Sequence, residues 1–254
     1  MSISRKSLFV ILSILALIFV FPVFVTIIKS MQYGNKAITL AQFGEFFFTN
    51  HTAMKYFWNS VLYSSVITVF CLIVSFPLGF LFAKVKFPGR DALFLVYIVV
   101  MLLPFQATLL PNYIQLRDMN ILQTPHGLIL PMIFSPFAVF LFRQFIVGIS
   151  DDVLEYTRLE TSSVFLLLRY VVMPQLKEAF AALAILIFCE SWNMVEQAII
   201  FASEAPEIMP LSVVLNHLPE DVVYAGATVY MYPVLVIFLL FRKTLEKSME
   251  KFRW

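Results

Sequence analysis

Six long, predominantly apolar runs constrain this chain more than any other feature of its sequence. They lie at residues 7–28, 58–83, 92–111, 127–147, 179–202 and 222–241. A helix of roughly 20 apolar residues spans the hydrocarbon core of a bilayer. Hydrophobic residues make up 61% of the 254 and charged residues only 13%, which is too apolar for a water-soluble fold of this length. The chain therefore belongs in a membrane.

These runs are predicted to be helices rather than barrel strands. Lipid offers the backbone no hydrogen-bond partners, so a spanning segment must be a helix or part of a closed barrel. The roughly ten-residue alternation that is typical of barrel strands is absent. We predict an all-α membrane protein whose six transmembrane helices form one domain over residues 1–254.

The positions of Lys and Arg predict the orientation, because these residues concentrate in cytoplasmic loops. With a cytoplasmic N-terminus, the outer loops hold only four of the 18, namely Lys29, Lys36, Lys55 and Arg117. Both termini are then cytoplasmic.

The first run could instead be a signal peptide, because Arg5 and Lys6 precede it. It is too long for one, and no small-residue cleavage site follows, so we predict a retained first helix.

The cytoplasmic segment between the fourth and fifth runs, residues 148–174, is longer than a simple return to the membrane requires. Its pattern predicts two short helices, with Ser150 placed to cap the first and Pro174 to end the second. The first helix is predicted to have one face formed by Val153, Tyr156 and Thr157 and an ion pair between Glu155 and Arg158. A folded helical segment at this position predicts a docking site for another protein.

The same segment resembles the EAA loop in permease subunits of type I ATP-binding-cassette (ABC) importers. Residues 149–174 read ISDDVLEYTRLETSSVFLLLRYVVMP. Glu155 matches the glutamate of the motif, and Tyr156-Thr157 replaces its two alanines. Thr161 stands at the glycine position, and Met173-Pro174 matches the closing Leu-Pro.

Further motifs extend the resemblance over nearly the whole chain, in the same order. They are similar to the carbohydrate-uptake branch of that family, and in particular to the maltose-type second permease subunit. The matching residues are Asn59-Ser60, Ala83-Lys84, Phe87-Pro88-Gly89-Arg90, Gly127-Leu128-Ile129-Leu130-Pro131 and Ser191-Trp192-Asn193.

The resemblance implies a pathway-forming subunit and not an enzyme. Such a permease has the type I ABC importer transmembrane fold, with a helical coupling loop between helices 4 and 5. It lies in the bacterial plasma membrane, crossing it several times in contact with lipid. It works with a second homologous permease, two ATPase subunits and an extracellular solute-binding protein. The chain has no P-loop for nucleotide phosphates, so we expect no cofactor on it, and ATP and Mg²⁺ on the partner ATPase.

The resemblance also implies that the first loop helix transmits movement of the ATPase to the membrane helices. The residues expected to do this are Asp152, Glu155, Arg158, Leu159, Glu160 and Thr161. The alternative is an amphipathic surface helix that is merely solvated.

Polar residues in the fifth run predict a solute pathway. A carboxylate within a span avoids lipid and faces protein or a water-filled cavity. Glu190, Asn193 and Gln197 share one helical face, and an indole ring beside amides and carboxylates suits a sugar. The predicted pathway residues are Glu190, Trp192, Asn193, Glu196, Gln197 and, from the third run, Gln106. Hydrogen bonds between helices would explain the same residues.

Other classes of protein fit the sequence less well. A secondary transporter driven by an ion gradient would also have many spans, but this chain shows no internal repeat. An intramembrane enzyme would need catalytic groups at depth, and His51, His126 and His217 all lie outside the apolar cores. Cys71 and Cys189 lack the spacing of a metal site. A net charge of +2 without a basic run excludes nucleic acid as a partner.

Overall fold

The computed structural model of the protein describes residues 5–34, 38–49 and 51–251, so Lys36 and Arg253 lie outside the described residues. Its main helices are α1 (Arg5–Ser30), α2 (His51–Lys84), α3 (Arg90–Met101), α4 (Phe105–Asp118), α5 (Pro125–Ile133), α6 (Pro136–Val147), α7 (Asp151–Glu160), α8 (Lys177–Trp192), α9 (Glu196–Phe201) and α10 (Glu220–Lys251). Short helical turns lie at Ala41–Gly44, Glu45–Thr49, Val164–Leu167, Leu168–Val172, Met173–Gln175, Pro206–Ile208, Leu211–Val214 and Leu215–His217.

The predicted six-span, all-α fold is confirmed, with four continuous spans and two bent ones among the described residues. The continuous spans are Ser7–Ser30, Thr52–Lys84, Pro125–Val147 and Glu220–Arg242. A bend of 98° separates α3 from α4, and one of 83° separates the helical stretch Val164–Gln175 from α8. By length and composition the described residues give up to six spans when each bent pair counts as one, and in the second pair the stretch before the bend is the end of the segment 148–174 that precedes the fifth run.

The third and fifth spans differ from straight helices over 92–111 and 179–202. Pro104 adopts an extended conformation and has no N–H to donate, so α3 ends at Met101 and α4 begins afresh at Phe105. In the fifth span, α8 ends at Trp192 because the Asn193 side chain bonds back to the helix, where its Nδ2 donates to the Cys189 carbonyl at 2.7 Å. Both breaks lie beside the predicted pathway residues.

Helix α2 is the centre of the bundle and packs mainly against α6 and α8. Gly79 allows the close approach to α6, because a Cβ atom there would lie 2.6 Å from the Cβ of Phe142. Phe142 is fully buried and contacts the rings of Phe76 and Phe180 from α2 and α8. This aromatic cluster joins three spans below the cavity described in the next section.

Helix α1 packs on α10 and leaves most of its apolar side chains exposed, for example Phe9 and Phe19. In a bilayer these side chains contact lipid or another membrane subunit, since exposure to water would be unfavourable. At the outer end of α2, Asn59 Nδ2 donates to the carbonyls of Glu207 and Met209, and Tyr63 Oη donates to that of Ile208. The outer loop after α9 is thereby fixed to the bundle.

Candidate functional site

The coupling segment, residues 148–174, folds on the cytoplasmic face as predicted, with α7 followed by a second helical stretch from Val164. Leu154 of α7 and Leu167 of the second stretch are each only 4% exposed and pack into the main core. The opposite side of α7 carries an apolar row, which we define as Val153, Tyr156 and Leu159, exposed by 40%, 72% and 85%. The segment is therefore anchored through one face and presents apolar side chains to the cytoplasm on the other.

Lys84, the last residue of α2, joins that helix to the coupling segment. Its Nζ donates to the Ile149 carbonyl at 2.6 Å and to Asp151 Oδ1 at 2.7 Å, and it lies 3.5 Å from the Val147 carbonyl at the end of α6. The Lys84 side chain is 9% exposed and the Asp151 side chain 76%. One buried cation therefore connects two spans and the start of α7.

The Lys84 ammonium lowers the pKa of Asp151, first through its hydrogen bond and second through its charge. A carboxyl group whose pKa is lowered on folding contributes stability above its ordinary pKa and loses it as the pH falls through the lowered value. Asp151 is therefore charged at neutral pH, and its contact with Lys84 weakens only as the pH falls below the ordinary pKa of a carboxyl group.

Details of α7 differ from the sequence predictions. The Ser150 side chain forms no capping hydrogen bond, although its backbone is at the N-cap position. Glu155 and Arg158 do not pair; the ion pairs among described residues join Lys84 to Asp151, Arg90 to Asp91 and Arg117 to Asp118. Both residues are exposed to solvent, where such a pair contributes little.

Thr161, at the glycine position of the motif, has an extended backbone with φ −145° and ψ 135°. This conformation is open to any residue, so the turn after α7 does not require glycine. Thr161 Oγ1 also accepts a hydrogen bond from the Ser163 N–H at 3.2 Å. The departure from the family motif is thus accommodated without backbone strain.

The second candidate site is a pair of cavities of about 690 and 320 Å³ between the two bent spans and α5–α6. They share four lining residues, Phe105, Met132, Glu190 and Gln197. The larger cavity lies beside the 98° bend at Pro104, and the smaller cavity lies beside the break after Trp192. The larger cavity also has polar side chains from α4, Thr108, Asn112 and Gln115.

Five of the six predicted pathway residues lie together at the smaller cavity: Gln106, Glu190, Asn193, Glu196 and Gln197. Gln106 Nε2 lies 3.2 and 3.4 Å from the two Glu196 carboxylate oxygens, so it joins α4 to α9. Gln197 is 4% exposed and its Nε2 donates to the Leu128 carbonyl at 3.4 Å. No described residue donates a hydrogen bond to Glu190, which is exposed in the cavity.

Trp192 is not at the cavity, which corrects the prediction that its ring faces a solute. The side chain is fully buried, and its ring stacks between those of Phe188 and Tyr230 at centroid distances of 5.6 and 5.3 Å. Its Nε1 donates to the Tyr230 carbonyl at 3.1 Å. The indole is a packing group between α8 and α10, because burial there satisfies both its apolar face and its N–H.

Tyr230 was not predicted from the sequence. Its Oη contacts the Asn193 Oδ1 at 2.9 Å and the Trp192 carbonyl at 3.0 Å, both at the end of α8. It holds the amide of Asn193 at the cavity wall. The available signal was a group of three tyrosines in this span, Tyr224, Tyr230 and Tyr232, but the partners of Tyr230 are 37 and 38 residues away in the chain.

The fold is that of the membrane permease of an ABC importer. One solved structure, a bacterial ABC transporter involved in the import of the acidic polysaccharide alginate, has a chain with a TM-score of 0.84. It is 21% identical and covers 96% of this chain and 99% of its own. The protein belongs to the family described as binding-protein-dependent transport system inner membrane component, which matches residues 75–251.

Curated relatives extend this similarity beyond the family region. The arabinooligosaccharides transport system permease protein AraQ of Bacillus subtilis (strain 168) is 28% identical over 95% of this chain and 92% of its own length. The sn-glycerol-3-phosphate transport system permease protein UgpE of Brucella abortus (strain 2308) is 26% identical over 76% of this chain and 71% of its own.

Family membership confirms several predictions made from the sequence. The protein is a multi-pass component of the bacterial inner membrane and a translocation subunit of an ABC importer. Membership implies a complex with an ATPase and a binding protein. The alternative, a secondary transporter driven by an ion gradient, is therefore wrong.

Proposed function

We propose that this chain forms half of the pathway of a carbohydrate importer. It pairs with a second homologous permease, with two ATPase subunits that bind ATP and Mg²⁺, and with an extracellular solute-binding protein. The observation that supports this proposal most strongly is the exposed apolar row of the coupling segment. Its apolar row is exposed to the cytoplasm while Leu154 and Lys84 hold the helix against the bundle. A rigid, exposed apolar ridge needs a partner, because contiguous apolar surface in water marks an interaction site.

Purification of the complex in mild detergent tests this assembly. We expect an ATPase to co-purify with the tagged chain and a cysteine placed at Tyr156 to crosslink to it. A cysteine at Ile38, which is 87% exposed on the outer side, serves as the matched control and should not crosslink to the ATPase. Recovery of the folded chain without any nucleotide-hydrolysing partner would contradict the proposal.

The cavity supports a neutral polyhydroxy solute. Its walls offer amides and two carboxylates, Glu190 and Glu196, which can accept hydrogen bonds from hydroxyl groups. No Lys or Arg is among the lining residues of either cavity, so this half of the pathway repels anions. Among the relatives, AraQ is named for arabinooligosaccharides and UgpE for a phosphate ester. The negative charge of the cavity favours an uncharged oligosaccharide over a phosphate ester.

A Glu190→Gln variant tests whether the cavity is the pathway. We expect transport to fall about tenfold with little change in thermal stability. The Glu190 carboxylate accepts no hydrogen bond from a described residue, so the variant loses only the contact of this side chain with the solute. A charged hydrogen bond contributes about 1.5–3 kcal/mol, and 1.4 kcal/mol is a factor of ten. Uptake of the ligand of the cognate binding protein is the measurement. Glu204→Gln, the same change in the outer loop, is the control, and wild-type transport in both variants would leave Glu190 with a structural role only.

A further inference from the structure

A groove on the cytoplasmic half of the bundle lies apart from the apolar row of α7 and from the two cavities. It has a volume of about 450 Å³ and lies between α2, α8, α10 and the end of the coupling segment, which contributes Arg169, Met173 and Pro174. Seven of its nine lining residues are apolar, among them Leu72, Phe180, Ala184 and Phe241. The groove runs from Lys177 to Ala184 along α8, which is about 10 Å at 1.5 Å per residue. It therefore reaches from the membrane surface into the hydrocarbon.

The other two lining residues are cations, Arg169 and Lys177, at the cytoplasmic end of the groove. Both are exposed, and neither takes part in an ion pair among the described residues. The only hydrogen bond from the Arg169 side chain to a described residue goes to the Met173 sulfur, at 3.3 Å, a weak acceptor within the groove. Tyr170 beside it is 70% exposed, as is typical of the membrane interface. Two positive charges without a carboxylate partner among the described side chains thus lie at the end of an apolar channel.

We propose that this groove binds an anionic phospholipid of the inner leaflet, with its phosphate on Arg169 and Lys177 and an acyl chain along Phe180 and Ala184. Arg presents a fork of donors that matches a phosphate, and Lys adds a point charge. Basic pockets between membrane helices on the cytoplasmic side are where anionic headgroups bind. A free phosphate would leave the apolar channel unfilled. A zwitterionic lipid carries its own ammonium group beside the phosphate, so it compensates the two cations less than an anionic lipid does.

Lipid retention by the purified full-length chain, with the subunits that co-purify, tests the proposal. The protein is placed in micelles with equal amounts of phosphatidylglycerol and phosphatidylcholine, and the retained lipids are counted by native mass spectrometry. Each cation at the membrane surface is expected to contribute about fivefold, so wild type should prefer phosphatidylglycerol by about 30-fold. Arg169→Gln with Lys177→Gln should lower that preference to near one.

Two further variants distinguish lipid binding in the groove from a general effect of positive charge. Lys86→Gln with Arg90→Gln removes two cytoplasmic cations outside the groove and should keep the preference. Ala184→Leu keeps both cations but fills the channel and should reduce phosphatidylglycerol retention several-fold. Equal retention of the two lipids by wild type, which includes the case of a groove covered by another subunit, would overturn the proposal. So would an unchanged preference in the Arg169 and Lys177 double variant, or full retention in Ala184→Leu.

Discussion

A Leu159→Arg variant is expected to insert into the membrane normally and to lose at least about 30-fold of its transport activity. Leu159 is 85% exposed and contacts little of its own chain, so the substitution leaves the fold intact. If the apolar row docks on the ATPase as proposed, the substitution buries an unpaired cation in that interface, which is strongly unfavourable. Central apolar residues of an interface contribute about 2 kcal/mol or more, which is the basis of the 30-fold figure.

Uptake and ATPase stimulation in proteoliposomes measure this effect, with membrane insertion followed by immunoblot. Ala92→Arg places the same charge at an exposed position in the first turn of α3, at the membrane boundary and outside the coupling segment, and should transport like wild type. Glu155→Arg with Glu160→Arg tests the charged flank of the same helix and should also reduce transport. Normal stimulation by Leu159→Arg would mean that the apolar row is not the docking surface.

A Lys84→Met variant is expected to reduce transport about tenfold while still binding the ATPase. Methionine fills most of the space of lysine but removes the donor that joins α2 to Ile149 and Asp151. The bond to the Ile149 carbonyl carries most of the effect, because Lys84 is nearly buried there and a charged hydrogen bond contributes about 1.5–3 kcal/mol. The pair with Asp151 is screened by water and contributes less.

The distinguishing measurement is the ratio of solute transported to ATP hydrolysed. If Lys84 transmits movement, Lys84→Met hydrolyses ATP without proportionate transport, and Lys84→Arg, which keeps a donor, restores the ratio. Asp151→Asn should have a small effect, since the carbonyl bond remains. A Lys84→Met variant with an unchanged ratio and a lower melting temperature would assign the residue to stability alone.

The coupling segment could be predicted from the sequence because its signals are local. Short amphipathic helices, turn residues and a motif within residues 149–174 are all set by near neighbours in the chain. The anchors of that segment could not be predicted in the same way. Lys84 reaches Asp151 across 67 residues, and its burial depends on how α2 and α6 end side by side.

The candidate pathway also has some features that the local sequence predicts and others that it does not. Helical periodicity over 190–197 predicts one shared face for Glu190, Asn193 and Gln197, and these residues do meet at one cavity. The helix breaks between them, because α8 ends at Trp192 and α9 begins at Glu196, so their meeting depends on how the two helices are placed. Trp192 lies two residues after Glu190, on another side of α8, where it packs against α10.

The sequence by itself determined the membrane class, the number and order of the spans, their orientation and the place of the coupling segment. Each of these depends on the length of an apolar run or the position of charges along the chain, which are local quantities. The tertiary structure alone decided where the third and fifth spans break and which polar residues reach the cavity. It also placed the lysine that ties the coupling segment to the bundle. These features depend on contacts between residues far apart in the chain, which packing creates and local pattern does not record.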